Sequence, residues 1–230
     1  LVPGSAESSL AVRGADATDE LVLPEIVRVI EIKSGFFNRL DGSVDFGFNF
    51  QKTNNDVNYS LRGDVIYRAK TSDTALDYRS ILSYRSDVPR TFRNVLNVTH
   101  TQYFANRWLA TGLGKVEQND ELGLDLRTNL GAVFGRRLVQ TNRSFLSVMA
   151  GLTTNREQYV LDPEATTSLE GMITTSYDFF VHGDLGADIS AHLTLLPSLT
   201  ESGRYRVELD VSYRHEIVLD LSISFSGWYS

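Results

Sequence analysis

Apolar and charged side chains alternate residue by residue along much of this chain, and the pattern is clearest over residues 204–216, RYRVELDVSYRHE. One side of this segment carries Tyr205, Val207, Leu209, Val211, Tyr213 and His215, and the other side carries only polar or charged residues. Because successive side chains of a β-strand point to opposite faces, the segment is predicted to be a strand with one apolar and one ionic face. At about 3.3 Å per residue and a tilt of about 45°, such a strand would cross the hydrocarbon core of a bilayer.

The composition excludes several classes of protein. The 230 residues include 29 acidic and 22 basic side chains, and the net charge of -7 argues against a nucleic-acid partner, because nucleic acids attract clustered Lys and Arg. The chain has no cysteine, so it can form neither a disulfide nor a thiolate metal site. It has no run of about 18 apolar residues, which excludes a transmembrane helix but not a spanning barrel, whose strands are apolar only at alternate positions.

The alternation predicts eleven strands from residue 42 onward. They cover about residues 44–51, 57–68, 76–85, 92–104, 108–117, 122–134, 145–154, 167–179, 185–199, 204–216 and 218–229. Short segments rich in Asn, Asp, Gly and Ser separate them, and connections this short force neighbouring strands to pair antiparallel. The predicted fold is therefore an all-β, up-and-down antiparallel transmembrane barrel, closed because lipid does not tolerate an open sheet edge.

The first 34 residues follow a different pattern. Residues 1–5, LVPGS, resemble the remnant of an engineered protease-cleavage linker and are excluded from the fold. Residues 6–34 contain three β-type runs, Leu10–Arg13, Glu20–Leu23 and Ile26–Ile32, which are too brief to span a membrane. We expect a small periplasmic β segment here, followed by the barrel over residues 35–230.

The ionic face of the barrel is predicted to point inward, the reverse of a soluble β-sandwich or lipocalin-like barrel. The longest predicted strands have about thirteen residues, against about five or six in soluble proteins, and an apolar interior this wide would be empty. Facing one Arg or Lys toward the middle of the bilayer costs about 2–4 kcal/mol. The inverted arrangement satisfies both faces, since apolar residues meet lipid while charged residues meet one another and water.

Two sets of residues follow from this assignment. The predicted lumen charge network consists of Arg62, Arg79, Lys115, Glu117, Asp125, Arg127, Glu170, Asp188, His192, Arg206, Glu208, Asp210 and Arg214. The predicted lipid-facing girdle of aromatic residues consists of Tyr59, Tyr67, Tyr78, Tyr84, Trp108, Tyr205 and Tyr213. Residues two apart on one face lie about 6–7 Å from each other, so Arg206 is expected to reach Glu208. Arg214 is expected to reach Asp210 or an acid on the next strand.

Twelve strands are expected in the complete barrel, because single-chain bacterial barrels have even strand numbers. The twelfth strand is expected to lie outside this sequence, which ends at GWYS. A barrel of about twelve strands encloses only modest space, so long Arg and Glu side chains are expected to plug part of the lumen.

Four segments stand out beyond the general alternation: SGFFNRLDGSVDFGF, YFANRWLATGLGKVEQNDELGLDLRTNLG, RLVQTN and PSLTESGRYRVELDVSYRHEIVLDL. They resemble a family of bacterial outer-membrane proteins of unknown function that are described as salt-induced, and the resemblance extends from about Gly35 to Ser230. It implies an outer-membrane β-barrel, sometimes after a small β domain, without an established activity or a catalytic residue that could be transferred. Members of this family continue into a final strand with an aromatic terminus, which this chain lacks.

No catalytic site, metal site or cofactor is predicted. His100 shares its face with Val98 and Gln102 but has no serine two residues away, which argues against the Ser–His pair of an outer-membrane lipid esterase. The other histidines are assigned to a turn (His182), the lumen (His192) and the interface (His215). The acidic stretch Asn119, Asp120 and Glu121 fits a solvated loop better than a weak cation site. Five glycines are interpreted as strand glycines that permit curvature or close packing, and not as a phosphate-binding loop: Gly112, Gly114, Gly123, Gly131 and Gly135.

Three function classes remain. The favoured one is a non-enzymatic barrel of the Gram-negative outer membrane, either a porin-like narrow pore with a charged lumen or a scaffold in the envelope. A lipid-modifying outer-membrane enzyme and a soluble periplasmic ligand-binding barrel are the alternatives. The expected partners are outer-membrane lipid and lipopolysaccharide, with small polar solutes and a periplasmic protein as further candidates.

Overall fold

The computed structural model describes residues 2–3, 9–13, 18–22, 35–51, 56–85, 88–162, 164–181, 187–218 and 221–229. The described residues form two antiparallel sheets, one small and one large. They contain no α-helix, and none of their helical turns is long and apolar enough to cross a membrane.

The small sheet lies at the start of the chain. It has three strands, β1 (Val2–Pro3), β2 (Ser9–Arg13) and β3 (Thr18–Val22), in the order β1-β2-β3. Two of the three short runs predicted here are therefore strands, and the third, Ile26–Ile32, lies outside the described residues. Val2 pairs with Ala11, so part of the segment predicted to be a linker remnant belongs to this sheet. A periplasmic location for the segment stays a prediction.

The large sheet contains the rest of the described strands. They are β4 (Leu40–Gln51), β5 (Asp56–Arg68), β6 (Ser72–Arg85), β7 (Val88–Tyr103), β8 (Trp108–Asn119), β9 (Leu124–Gln140), β10 (Ser144–Tyr159), β11 (Thr166–Val181), β12 (Ala187–Pro197), β13 (Tyr205–Val218) and β14 (Leu221–Tyr229). Each strand pairs antiparallel with its neighbours in the chain, and the end strands β4 and β14 pair with β5 and β13 respectively. The predicted all-β, up-and-down meander is confirmed, because short connections leave neighbouring strands no other pairing.

The number of strands agrees with the prediction, and the closure of the barrel is not shown. The sheet has the eleven strands predicted within this sequence, and the twelfth strand, expected outside it, stays a prediction. Its two end strands are β4 and β14, and no pairing joins them within the described residues. The described residues therefore show a continuous sheet, and the closure of the barrel stays a prediction.

Short helical turns lie between some strands. Within the described residues they cover Phe37–Arg39, Ala105–Arg107 and Asp120–Leu122. We use the last two to name the ends of the sheet: the β7–β8 end carries Ala105–Arg107, and the β8–β9 end carries Asp120–Leu122. Gly123 follows the latter turn with φ +61°, a left-handed conformation that suits glycine. Gly123 was predicted to lie in a strand. That prediction is wrong, because the chain reverses direction at this residue between β8 and β9.

The two faces of the large sheet differ in burial in an unusual direction. In β4, every apolar-face side chain from Val44 to Phe50 is more than half exposed. In β8, all four buried residues are odd-numbered and lie on the face of Lys115, whereas Trp108, Gly112 and Val116 on the opposite face are exposed. We call the Lys115 side the polar face and the opposite side the apolar face. In the middle of the sheet the polar face is thus the more enclosed one, as the sequence pattern predicts for an inverted sheet, whereas in β4 residues of both faces are exposed.

The sheet curls toward its polar face. Side chains from strands that are not neighbours meet there: Thr111 of β8 contacts Met149 of β10 at 4.0 Å, and Arg206 of β13 contacts Glu170 of β11 at 3.3 Å. Two glycines on this face permit the curl. A Cβ atom added at Gly135 or Gly151 would collide with backbone atoms of the neighbouring strand. The close-packing role predicted for Gly135 is confirmed.

Candidate functional site on the polar face

A polar cavity of about 660 Å³ lies on the concave side of the sheet. Side chains from seven consecutive strands, β7 to β13, contribute to its wall. Predicted network members in the wall are Lys115, Arg127, Glu170, Arg206 and Glu208. Hydrogen-bonding groups outside the predicted network complete it, including Asn97, Asn129, Asn155, Glu157 and Arg204. Sequence alternation places these residues on one face, and the curl of the sheet brings them around one space.

Glu117 is the centre of the strongest cluster of charges. It is buried, with 3% of its surface exposed. Its carboxylate lies 2.9 Å from the Nζ of Lys115, 3.5 Å from a guanidinium nitrogen of Arg93 and 3.6 Å from one of Arg127. The strand register explains the cluster, because Glu117 stands directly opposite Arg127 while Lys115 precedes it by two residues on the same face. A buried carboxylate needs such partners, since an unpaired buried charge is strongly destabilising.

Glu157 extends this cluster into β10. It accepts hydrogen bonds from Arg127 (2.9 Å), Asn155 (2.6 Å) and the Tyr159 hydroxyl (2.8 Å). Sequence reasoning missed Glu157 because residues 155–158 are all polar, so the alternation ends before the strand does. The neighbouring β9 nevertheless pairs with residues as far as Tyr159.

A second ionic group lies where β11, β12 and β13 meet the β8–β9 end. Arg206 contacts Glu208 at 3.1 Å, as predicted, and the buried Glu170 at 3.3 Å. Beyond the strands, Arg204 makes two hydrogen bonds of 2.9 and 3.0 Å to the Glu201 carboxylate. These bonds raise the pKa of Arg204 above its ordinary value.

Five predicted members of the network form no ion pair within the described residues: Arg62, Asp125, Asp188, Asp210 and Arg214. Asp188 and Arg214 stand opposite each other in register, yet no carboxylate oxygen of a described side chain lies within 4 Å of Arg214. The proposed Arg214–Asp210 contact is therefore absent. His192 accepts or donates one hydrogen bond at 3.0 Å to Ser176, which agrees with its predicted hydrogen-bonding role.

The difference between Arg206 and Arg214 yields a testable prediction. Arg206→Ala would leave the buried Glu170 without a cation, and we expect it to lower the free energy of unfolding in detergent by about 1–2 kcal/mol. The melting temperature should fall by about 2–8 °C. Arg214→Ala removes the same side chain from the same strand face and should change the melting temperature by less than about 1 °C. Equal losses in the two variants would contradict the pairing scheme.

The polar face is filled at the β7–β8 end. Leu109 and Val133 are buried there, beside a hydrogen bond of 3.0 Å between Thr101 and Thr111. Nearer the strand ends, the Arg137 guanidinium lies 4.6 Å from the centre of the Tyr103 ring. The Tyr103 hydroxyl in turn donates to Asp73 at 2.8 Å. Open space on this face is therefore concentrated toward the β8–β9 end.

The predicted girdle residues all lie on the apolar face, alternating with polar-face neighbours. Tyr59, Tyr84 and Tyr205 stand toward the β8–β9 end, and Tyr67, Trp108 and Tyr213 stand toward the β7–β8 end. Tyr78 does not fit either belt, because it lies at the middle of β6, directly opposite Leu96. The predicted face of Tyr78 is correct, but its predicted place near the membrane interface is not supported. Alternation shows which face a residue is on, whereas its height in the sheet depends on where the strand begins.

An aromatic cluster marks the apolar face at the β7–β8 end. The Trp108 and Phe134 rings stack at 4.9 Å with an interplanar angle of 8°, and Phe104 lies 6.5 Å from Phe134. The Arg136 guanidinium sits 5.8 Å from the Trp108 ring and donates to the Asn106 carbonyl at 3.0 Å. The turn beneath is strained, since Asn106 and Arg107 both have positive φ. The cluster combines an apolar surface with one cation.

His100 has a hydroxyl partner that the sequence did not indicate. Its Nδ1 lies 2.8 Å from the Thr74 Oγ1, and both residues stand on the apolar face because they are register partners between β6 and β7. No carboxylate is hydrogen-bonded to His100 within the described residues, so a nucleophile–base–acid triad is not formed. His182 lies outside the described residues. His215 stacks on Tyr213 at 6.2 Å on the apolar face.

The described part of the chain contains no group of three or more His, Asp or Glu side chains placed to hold a metal ion. The acidic stretch after β8 has a structural role instead. Asn119 accepts a hydrogen bond from the Glu121 backbone NH at 3.1 Å, and Asp120 accepts one from the Phe92 backbone NH at 3.1 Å. These bonds hold the turn against β7.

Sequence comparisons give a family but no activity. The family model described as "Protein of unknown function, DUF481" matches residues 44–229, which is most of the chain. No curated protein and no solved structure gives a significant match. The match agrees with the expected family of unknown function, while the outer-membrane and salt-induced descriptions stay predictions.

Proposed function

Because the chain belongs to the DUF481 family of proteins of unknown function, no activity can be taken from relatives, and we propose from the geometry that it is an outer-membrane β-barrel with a narrow, charged lumen. The inverted burial of the large sheet is the observation that carries this proposal. Charged residues such as Glu117 and Glu170 are buried on the concave side, while Phe46, Phe48 and Phe50 on the other side are more than half exposed. Water would reverse this distribution, whereas lipid favours it.

The size of the exposed apolar surface supports the same conclusion. Soluble monomers rarely expose contiguous apolar patches of more than a few hundred Å². Here nearly every strand of the large sheet contributes exposed large hydrophobic residues. Each Å² kept from water contributes roughly 25 cal/mol, so a lipid surround stabilises this face far more than water does.

Aromatic residues stand where the edges of a bilayer would lie. Tyr59, Tyr84 and Tyr205 lie toward one end of the sheet, with the Trp108 cluster at the other. Rings with one polar edge favour the headgroup region, and Arg136 next to Trp108 adds a cation suited to lipid phosphates. The unpaired edges of β4 and β14 would have to pair in lipid, because unsatisfied backbone groups there are costly. Closure is thus part of the proposal.

The lumen of such a barrel would be restricted. Buried side chains and the Arg137–Tyr103 contact fill the β7–β8 end, and the Glu117 and Glu170 clusters border the remaining cavity. The arrangement fits a narrow passage or holding site for small polar solutes better than a general porin. The Thr74–His100 pair is the feature nearest to a lipid-modifying enzyme, but it lacks the orienting acid that such catalysis uses.

Purification and gel migration test the membrane assignment. We expect the protein to remain with the outer membrane until detergent is added, and to migrate differently on a detergent gel before and after boiling. A urea-unfolded sample without boiling serves as the control and should run like the boiled protein. In liposomes, small sugars should enter far more slowly than through a general porin. A protein that stays monomeric and soluble without detergent would overturn the proposal.

A further inference from the structure

A second cavity, of about 360 Å³, lies next to the first on the polar face of β5 to β8. Four of its lining side chains are cationic: Arg62, Arg79, Arg93 and Lys115. The other lining residues are Ile81, Val95 and Asn97, so none of them is acidic. In a chain with a net charge of -7, this local sign is the opposite of the overall balance.

Two of the cations are placed directly against each other by the strand register. Arg62 of β5 is the register partner of Arg79 of β6. Like charges in this position are destabilising, because opposed side chains begin only about 4.5–5.5 Å apart at their Cβ atoms. A local conflict of this kind is expected where a residue serves binding more than folding.

The nearby acids neutralise this pair only in part. Arg62 makes no ion pair or hydrogen bond with any described residue, although Asp45 stands opposite it in β4 and Asp64 follows it by two. Asp64 instead accepts from the Ser43 hydroxyl at 2.6 Å. The Nε of Arg79 lies 3.4 Å from Asp77, a carboxylate that also accepts from Asn97 at 3.0 Å. Most donors of the two guanidinium groups therefore remain available.

The other two cations share a single carboxylate. Arg93 and Lys115 both contact Glu117, and this acid also contacts Arg127. Three of the four lining cations lie within ion-pair distance of a carboxylate, and they share only two, Asp77 and Glu117, while Arg62 has no such partner among the described residues. A bound anion would give Arg62 a partner and would share the remaining donors of Arg79.

From this geometry we infer that the cavity binds a phosphate group. Guanidinium groups offer paired N–H donors that match the oxygens of a tetrahedral oxyanion, and Lys115 adds a mobile ammonium. Ile81 and Val95 keep part of the wall apolar, which strengthens the electrostatic attraction. The site lies on the proposed lumen wall, so its access from solution rests on the proposed function. Phosphate binding by the folded protein does not rest on that proposal.

Titration of the full-length protein in detergent with inorganic phosphate tests this site. Ionic strength is held constant with chloride, and binding is measured by calorimetry and as a rise in melting temperature. Loss of one or more charge-assisted hydrogen bonds in the double variant Arg62→Gln/Arg79→Gln should weaken binding by about tenfold or more. Arg214→Gln serves as the matched control and should keep wild-type affinity, because this unpaired cation lies outside the cavity.

A second readout separates binding from a merely structural role. In phosphate-free buffer, Arg62→Gln alone should raise the melting temperature, since it removes an opposed like charge, and it should lose most of the phosphate-dependent rise. Glucose 6-phosphate competing better than micellar phosphatidic acid would assign the site to a solute, and the reverse would assign it to a lipid headgroup. The inference is overturned if phosphate has no effect on the wild type, or the same effect on the double variant. Phosphate binding by a protein that does not enter membranes would refute the barrel alone.

Discussion

Gly151→Ala should lower the free energy of unfolding by about 3 kcal/mol or more, or prevent folding altogether. The added methyl group would overlap the Ala132 carbonyl oxygen and lie 2.7 Å from the Val133 Cα. Both contacts are with backbone of the paired strand β9, which cannot rotate away as a side chain can. The strands must separate locally, so a strain of overpacking adds to the loss of ladder hydrogen bonds.

Gly112→Ala is the matched control for this substitution. Gly112 lies in β8, and nothing stands within 4 Å of a Cβ added there. The same reduction in chain entropy of the unfolded state applies to both variants, so this control should be neutral or slightly stabilising. Urea unfolding followed by tryptophan fluorescence in detergent micelles measures the difference. Equal stability of the two alanine variants would show that the strands are not this close at Gly151.

Glu117→Ala is the second substitution for which we expect a large loss of stability. Among the described residues it removes the only carboxylate within 4 Å of Lys115 and Arg93, and it leaves three cations around an empty site. Breaking a buried ion pair costs about 3–5 kcal/mol, but the three cations here keep 26% to 54% of their side-chain surface exposed. Because partial exposure screens the charges, we expect a loss of about 2–3 kcal/mol.

Glu121→Ala controls for the change in net charge. Glu121 lies in the turn that follows β8 and is exposed, and its removal should change the unfolding free energy by less than about 0.5 kcal/mol. High salt should recover part of the loss in Glu117→Ala, since ions screen the repulsion among the exposed cations. The same variant frees Lys115 and Arg93 for an added anion, so its affinity for inorganic phosphate should rise. A Glu117→Ala protein as stable as Glu121→Ala would refute the assigned role of the cluster.

Strand positions and faces were predicted from the sequence because alternation is a local property. Each predicted segment from residue 44 onward corresponds to one strand, and Arg206 lies on the same face as Glu208, as its spacing requires. Errors occurred where the local signal was weak. Polar residues 155–158 hid the end of β10, and Gly123 was assigned to a strand because a single glycine does not distinguish a turn from a bulge.

Pairing across strands could not be predicted in the same way. The approach of Glu117 to Arg93 and Arg127 depends on the registers of β7, β8 and β9, and each register is decided by turns and bulges outside the pattern itself. The absent Arg214–Asp210 contact shows the same limit, because spacing permits a contact without requiring it. Thr74 was not predicted as a partner of His100 for the same reason, because it lies on the adjacent strand and meets His100 only through the register of β6 and β7.

The sequence by itself determined that this chain forms a long antiparallel meander with one apolar and one ionic face, because side-chain direction in a strand depends only on residue parity. Only the tertiary structure decided which charges meet, where the sheet curls and which space remains open. Those outcomes depend on register and on backbone approach at positions such as Gly135 and Gly151. The opposed Arg62 and Arg79 are the clearest case: each is an ordinary polar-face residue in its own strand, and only the alignment of the two strands makes them a pair.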